Sequence, residues 1–382
     1  MSQIMKNYKA LFIGVNRSYT NPTAELNILI LGQIFNLSFY GPGFVSDDIL
    51  NLGINNWIEL NEKFDIIFTD SYIFEQENII NRKNPFSGDF IRFEPTDYFN
   101  HAQSLQKFFL NYKEKKVFIA NFDTYGISID MIQRLVDSDS LIIDGGISTN
   151  RSKAEVEEIY KSKCYGNDNW YSFVKSYKSR IISVPHFISI SEFDFQPLDK
   201  RKYLFNVIGA PYQERKKAFE LLTPTQKIEK KINYYLSSIK SRRITKLSFS
   251  DLTILRIKYL NEISQTKLCY CSGGPWLSPV RKYFEIPARG AVALGWPCNG
   301  FENLGFVDGY NFISATSNLK IKEVLCNINY ENIQSVAVNG RSLIWEKHSD
   351  WARAIQLLES FQLILNNKFN GSYWEKGIYK HF

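Results

Sequence analysis

The clearest chemical pattern in the sequence lies between Cys271 and Gly290, in the stretch Cys-Ser-Gly-Gly-Pro-Trp-Leu-Ser-Pro-Val-Arg-Lys-Tyr-Phe-Glu-Ile-Pro-Ala-Arg-Gly. Ser278 followed by Pro279 predicts a helix start, with Ser278 as N-cap and Pro279 at the first helical position. The helix must be short, because Pro287 lacks an N–H and its ring crowds the preceding turn. Val280, Phe284 and Pro287 then form an apolar side, and Arg281, Glu285 and Arg289 share the other at i, i+4 and i+8. As a surface ladder each pair would contribute about 0.3–0.5 kcal/mol. The polarity is inverted for that role. Arg281 and Lys282 stand in the first turn, where the helix dipole disfavours cations by up to about 1 kcal/mol. The order is explained by an anion in front of the helix, where free N–H groups, the dipole and two cations add together.

The elements that must position these residues are legible as a rhythm. Short unbroken apolar runs end in a polar residue or glycine and are followed by helical stretches. The first half shows Ala10–Asn16, Asp65–Asp70, Lys116–Asp123 and Leu141–Gly146. Unbroken runs are expected of strands buried on both faces of a parallel sheet, and strand–helix alternation predicts a doubly wound α/β domain. Arg180–Val184 reads as a last strand and Phe193–Asp199 as a linker. Tyr203–Ile208 then opens a second unit through Gly209 and Pro211, with strands at Leu268–Ser272 and Ala291–Leu294. The expected architecture is α/β, with two doubly wound Rossmann-like domains facing a cleft. Residues 1–195 form one domain and residues 200–350 the other. Residues 351–382 are a helical segment, with Trp351, Ile355, Leu358 and Leu365 at helical spacing, placed to pack back across the cleft. The length of 382 residues agrees with two domains.

Composition narrows the classes further. With 44% hydrophobic and 22% charged residues the chain is neither disordered nor fibrous. The net charge is +7, yet 13 Lys/Arg against 3 Asp/Glu fall between Lys200 and Lys246, a local +10 that asks for a local anion. Five cysteines are too few and odd in number for a disulfide framework. Cys269 and Cys271 alternate within one strand, so they share a face and read as buried thiols rather than zinc ligands. There is no apolar run long enough to span a membrane and no signal-peptide pattern, which predicts a soluble cytoplasmic protein. No Gly-rich dinucleotide fingerprint follows Val15 and no phosphate-loop motif occurs, so dehydrogenase and P-loop ATPase readings fall away. The four histidines show no Ser/His/Asp or metal spacing.

Val280–Gly290, followed by a strand and by Gly300-Phe-Glu-Asn-Leu-Gly-Phe306, resembles the C-terminal nucleotide-sugar motif of GT-B glycosyltransferases. The similarity is greatest to the bacterial "glycosyl transferases group 1" and CgeB-like proteins. Tyr203–Leu222, with Gly209, Tyr212 and Arg215, resembles the opening of their second domain, and His348–Ala354 a segment near its end. The resemblance spans roughly residues 200–360. It implies that Glu285 hydrogen-bonds the ribose hydroxyls of a nucleotide. It further implies that Arg215 and Arg281, with Lys216, hold the diphosphate, and that Asn299 and Gly300 complete the donor site. Gly209, Gly273 and Gly274 would let backbone approach the phosphates. A departing nucleoside diphosphate builds negative charge that arginines and helix N–H groups stabilise without a metal, so no cofactor is expected.

The implied activity is hexosyl transfer from a nucleotide-sugar donor to a cell-surface glycan or lipid-linked acceptor, with retention of configuration. The basic tract would serve the donor diphosphate or an anionic inner membrane face. Leu277 stands where many relatives carry a glutamate eight positions before Glu285, which opens a second reading: a non-catalytic nucleotide- or glycan-binding relative. Nucleic-acid binding through the tract is the weakest reading, because no recognition motif accompanies the charge. Asn16, Asp70, Asp123 and Asp144 fall at strand C-termini. Asp123 and Asp144 are the candidates for a catalytic base, against the simpler role of capping turns.

Overall fold

The structure, a computed structural model, describes residues 6–16, 22–61, 63–70, 73–74, 98–120, 129–146, 148–150, 174–209, 213–227, 249–273 and 277–382. The chain opens with β1 (Lys9–Ile13), passes through α1 (Pro22–Ile34) and returns in β2 (Asn36–Tyr40). Helices α2 (Asp47–Leu52) and α3 (Ile54–Glu59) follow, then β3 (Ile66–Asp70) and α4 (Tyr98–Asn111). β4 (Lys115–Ala120), α5 (Ile129–Asp137), β5 (Leu141–Asp144) and β6 (Ile181–Ser183) complete the first half. Its six strands pair in parallel in the order β2-β1-β3-β4-β5-β6.

The unbroken apolar runs are explained by burial on both faces. Successive side chains alternate across a sheet, so Leu11, Ile13, Ile67 and Phe118 pack with Leu105, Phe109 and Leu135 on one side. Ala10, Phe12, Ile66, Phe68 and Val117 pack with Ile30, Leu31 and Ile34 on the other.

The second half contains β7 (Tyr203–Asn206), α6 (Gln213–Phe219), α7 (Phe249–Ser264), β8 (Thr266–Cys271), α8 (Lys282–Ala288) and β9 (Val292–Gly295). β10 (Ile313–Ser314), α9 (Asn318–Cys326) and α10 (Tyr330–His348) follow. The strands form a parallel sheet in the order β10-β9-β8-β7. As the alternation predicts, Cys269 and Cys271 lie in one buried cluster, while Leu268 and Tyr270 lie in the cluster on the opposite face.

The chain then leaves the second half. Ser349 caps α11 (Asp350–Leu365), its hydroxyl accepting from the Ala352 N–H at 3.2 Å. This helix lies on the first sheet: Leu357, Phe361 and Ile364 join that sheet's second core face. The Phe361 ring sits 5.1 Å from Phe35 and 5.4 Å from Phe68. A closing hairpin, β11 (Ser372–Glu375) and β12 (Ile378–His381), reaches both halves. Trp374, fully buried, donates its indole N–H to the Ser183 carbonyl at 2.8 Å and stacks on His348 at 5.0 Å. The two passages between the halves are bonded to each other: Ile188 N–H donates to the His348 carbonyl at 3.0 Å, and Asp350 N–H to the Ile188 carbonyl at 2.8 Å.

One local expectation is corrected. Ser278 and Pro279 do not start a helix; α8 begins at Lys282, with Arg281 at the cap position. The reason lies in the backbone before it. Leu277 adopts φ 48°, the Leu277 carbonyl accepts from Asn299 N–H at 2.7 Å, and Ser278 N–H donates to the Gly273 carbonyl at 3.3 Å. Bonds into the strand-end loops therefore engage the groups that would have opened a helix at Ser278.

Candidate functional site

The cation pair predicted at the start of α8 divides in two. Lys282 turns toward the carboxyl ends of β7 and β8, and its ammonium donates to the Ile208 carbonyl. There it meets Arg215 of α6: a side-chain Cβ on Gly209 would collide with the Lys282 ammonium and lie 3.6 Å from Arg215 Nη1. Gly209 has φ 99°, so both its conformation and its surroundings require glycine. Both cations are buried, Arg215 at 6% exposure and Lys282 at 9%. Burial, and secondly the neighbouring Arg215, lower the Lys282 pKa to about 7. The Cys271 thiol beneath them is pushed up to about 12 by burial, with Lys282 and Arg215 opposing the shift. Ser272, also buried, ends the same strand loop, and among the described residues its hydroxyl makes no hydrogen bond. Gly273 next to it lies under the Leu277–Ser278 backbone, which a Cβ would meet at 2.5 Å.

Arg281 turns the other way. Its Nε donates to Glu285 Oε1 at 2.5 Å and its Nη2 pairs with Glu192. Glu192 stands in the segment between the halves and also pairs with Arg256 of α7. The second oxygen of Glu285 accepts from the Tyr259 hydroxyl at 2.6 Å. Burial, then the facing Glu285 charge, hold the Tyr259 pKa well above 10. Arg289 completes the helix face, donating to the Ser264 hydroxyl at 2.7 Å, the Glu192 carbonyl at 2.8 Å and Asp194 at 3.0 Å. Asp194 is held below the usual carboxylate range, first by the Ser264 hydroxyl and also by Arg289. The Arg281–Glu285–Arg289 face is thus neither a solvated ladder nor open to an anion along its length. It is buried against the linking segment.

The structure therefore brings Gly209, Arg215, Lys282 and Gly273 together at the strand ends. Glu285 is close enough that its charge acts on Lys282. Asn299 is tied to the same loop through its backbone bond to Leu277, and Gly300 follows it with φ 68°. Lys216, next to Arg215 in α6, is exposed and outside this buried cluster. Asp144 belongs to the other sheet, where Oδ1 accepts from Gly146 N–H at 3.0 Å, the turn-capping arrangement. Asn16 donates its side-chain amide to the Gly43 carbonyl at 3.2 Å, and Asp70 is buried at the end of β3. Asp123, Tyr212 and Gly274, and the basic tract over 228–246, lie outside the described residues. Sequence reasoning singled out Lys282 only as a companion of Arg281, and missed Tyr259 and Glu192. Adjacency at a helix start was the signal for the first; the other two carried none.

A groove of about 940 Å³ opens elsewhere, at the amino ends of the first sheet, lined by Lys63, Tyr112, Lys115, Lys116, Arg180 and Phe369 among others. Lys63 pairs with Glu114 at 2.5 Å, Arg180 with Asp139 at 2.8 Å, and Lys115 donates to Asn367 at 2.6 Å. Lys116 donates to two backbone carbonyls at 2.7 and 2.8 Å. These groups are matched within the protein.

No family model and no curated protein sequence matches the chain. Solved structures do. HepE of Anabaena, in complex with UDP and glucose, superposes with TM-score 0.51 over 93% of this chain and 99% of its own, at 10% identity. A glycosyltransferase from Rickettsia africae gives TM-score 0.51 over 94% and 99%, at 11% identity. The fold is accordingly of the GT-B glycosyltransferase type: mixed α/β, with two Rossmann-like halves built on parallel sheets.

Proposed function

We propose that this chain is a glycosyltransferase that moves a sugar from a nucleotide-sugar donor, with its diphosphate seated over Gly209 between Arg215 and Lys282. The observation that carries this reading is the convergence of two buried cations at the carboxyl ends of β7 and β8. Two like charges brought together in a low-dielectric site repel each other, and a pyrophosphate between them relieves that repulsion. In an open parallel sheet such ligands lie outside the strand carboxyl ends. The same two cations would stabilise the charge that grows on the leaving nucleoside diphosphate. In this reading Glu285 accepts the ribose hydroxyls, Arg281 orients Glu285, and Asn299 and Gly300 shape the loop beside them. A hexosyl donor, a cell-surface glycan or lipid-linked acceptor, retention of configuration and an inner-membrane location through the basic tract extend the proposal.

The test is binding of UDP against uridine, by calorimetry or thermal shift, since a ligand that binds only the folded state raises its apparent stability. Lys282→Met and Arg215→Ala are each expected to weaken UDP at least about tenfold while leaving uridine nearly unchanged. Equal losses for both ligands would remove the diphosphate from this site.

One observation favours a second reading, a nucleotide binder without turnover. Leu277 occupies the position of a second acidic residue, and its carbonyl and φ of 48° are committed to shaping the loop. Release of sugar from a nucleotide sugar, even by slow hydrolysis, separates the two.

A further inference from the structure

We propose that Tyr259 is a positioning residue that makes the site selective for ribose over 2′-deoxyribose nucleotides, acting through Glu285. The inference rests on the reading of Glu285 as the ribose acceptor and concerns what gives that carboxylate its selectivity.

A carboxylate offers about four lone-pair sites, two on each oxygen. Among the described residues one site on each oxygen is occupied. Arg281 Nε binds Oε1 at 2.5 Å and the Tyr259 hydroxyl binds Oε2 at 2.6 Å. One acceptor site per oxygen remains, and the two form a fork. Vicinal hydroxyls fill such a fork; a 2′-deoxyribose, with one hydroxyl, leaves half of it empty. An unfilled acceptor in a site this closed is costly, because the Glu285 residue is only 4% exposed.

Both anchors are themselves fixed. Arg281 is held at its far end by Glu192. The Tyr259 ring packs on the buried cluster of Cys269, Cys271 and Phe284, so its hydroxyl approaches from one direction. The hydroxyl also stays a donor throughout the neutral range, since burial and the Glu285 charge keep its proton on. With Tyr259 present the carboxyl cannot swing about its last bond to offer both oxygens to Arg281. Without it, a bidentate Arg281–carboxylate pair becomes available and the fork closes.

The experiment compares the affinity of UDP with that of 2′-deoxyuridine 5′-diphosphate in wild type, Glu285→Gln and Tyr259→Phe, with a melting temperature for each. Wild type is expected to prefer UDP by about tenfold or more, the worth of one hydrogen bond to a charged group. Tyr259→Phe should reduce that preference to less than about threefold by weakening UDP alone, the deoxy ligand changing little. A general loosening of the fold would weaken both ligands and leave their ratio intact. If Glu285→Gln abolishes the preference and Tyr259→Phe keeps it, this proposal falls while the Glu285 reading stands. If wild type shows no preference, or Glu285→Gln leaves it untouched, the Glu285 reading falls and takes this one with it. Should Tyr259→Phe not fold, Tyr259→Met, which keeps apolar packing but carries no donor, reads the same ratio. A reduced preference supports the proposal, and one equal to wild type overturns it.

Discussion

Lys282 sits beside Arg215 with its pKa lowered to about 7, first by burial and then by that guanidinium. An anion bound between them would favour the charged ammonium and raise that value, so binding near and above neutrality would draw a proton onto Lys282. The sign follows. UDP affinity should be highest below about pH 7 and fall as pH rises through it, with proton uptake seen as a buffer-dependent calorimetric heat. Lys282→Met should bind more weakly and show a flatter profile; a variant that keeps the wild-type slope would place the titrating group elsewhere. Much of the α8 face was legible from spacing alone, since Arg281 and Glu285 pair at i, i+4 as helix geometry requires. The divergence of Arg281 from Lys282 was not legible. It depends on where the helix begins, which is fixed by the left-handed Leu277, and on Glu192, distant in sequence and supplied by the linking segment.

Among elements, buried strands were readable and marginal ones were not. β1, β3, β8 and β9 carry unbroken apolar runs because helices or loops cover both their faces. β2 lies at a sheet edge with mostly half-exposed residues, and Asn36-Leu-Ser-Phe-Tyr40 gives neither a clean run nor a clean alternation. The β11–β12 hairpin escaped notice for a different reason. Its turn is Lys376-Gly377 with φ 49° and 77°, the I′ geometry that matches strand twist but is signalled more often by Asn-Gly. This supports a paired prediction. Gly377→Ala places a Cβ at positive φ, 3.3 Å from the Gly305 Cα, and should cost about 1–2 kcal/mol. Lys376→Asn should be neutral or stabilising by a few tenths of a kcal/mol. Melting curves of the two variants are expected to shift in opposite directions, or only the first to shift.

On the scale of the whole molecule, the junction between the halves is held by buried groups that resist charging. His348, fully buried, places Nε2 2.9 Å from the Leu304 carbonyl and Nδ1 3.4 Å from Arg353. The neutral Nε2–H tautomer satisfies both partners: it donates to the carbonyl and accepts from the guanidinium. Burial, then Arg353, lower the His348 pKa from 6.5 to about 3. Arg353 lies 5.8 Å from the Phe187 ring and 5.2 Å from Trp374, its own pKa lowered to about 9 by burial. Because the unfolded chain takes up a proton that the folded one refuses, the contribution of His348 is complete above about pH 6.5. It is lost as pH falls toward 3, at up to about 1.4 kcal/mol per pH unit. His186, also lowered by burial and by Arg281 and Arg353, adds in the same sense. Denaturant midpoints measured down this range should decline less steeply in His348→Gln than in wild type; parallel declines would exclude His348 as the source.

The placement of α11 bears on how the molecule is made. One face of the first sheet, around Phe35, Phe68 and Ile182, is shared between α1 and, from far along the sequence, Leu357, Phe361 and Ile364 of α11. During synthesis the early strands can pair and α1 can pack on them, but the part of that greasy side under α11 stays bare until residue 364 clears the ribosome, and domain-by-domain maturation is denied to the early lobe. A fragment ending in the linking segment would carry the same uncovered side, and should clump in the cell rather than accumulate as a usable lobe.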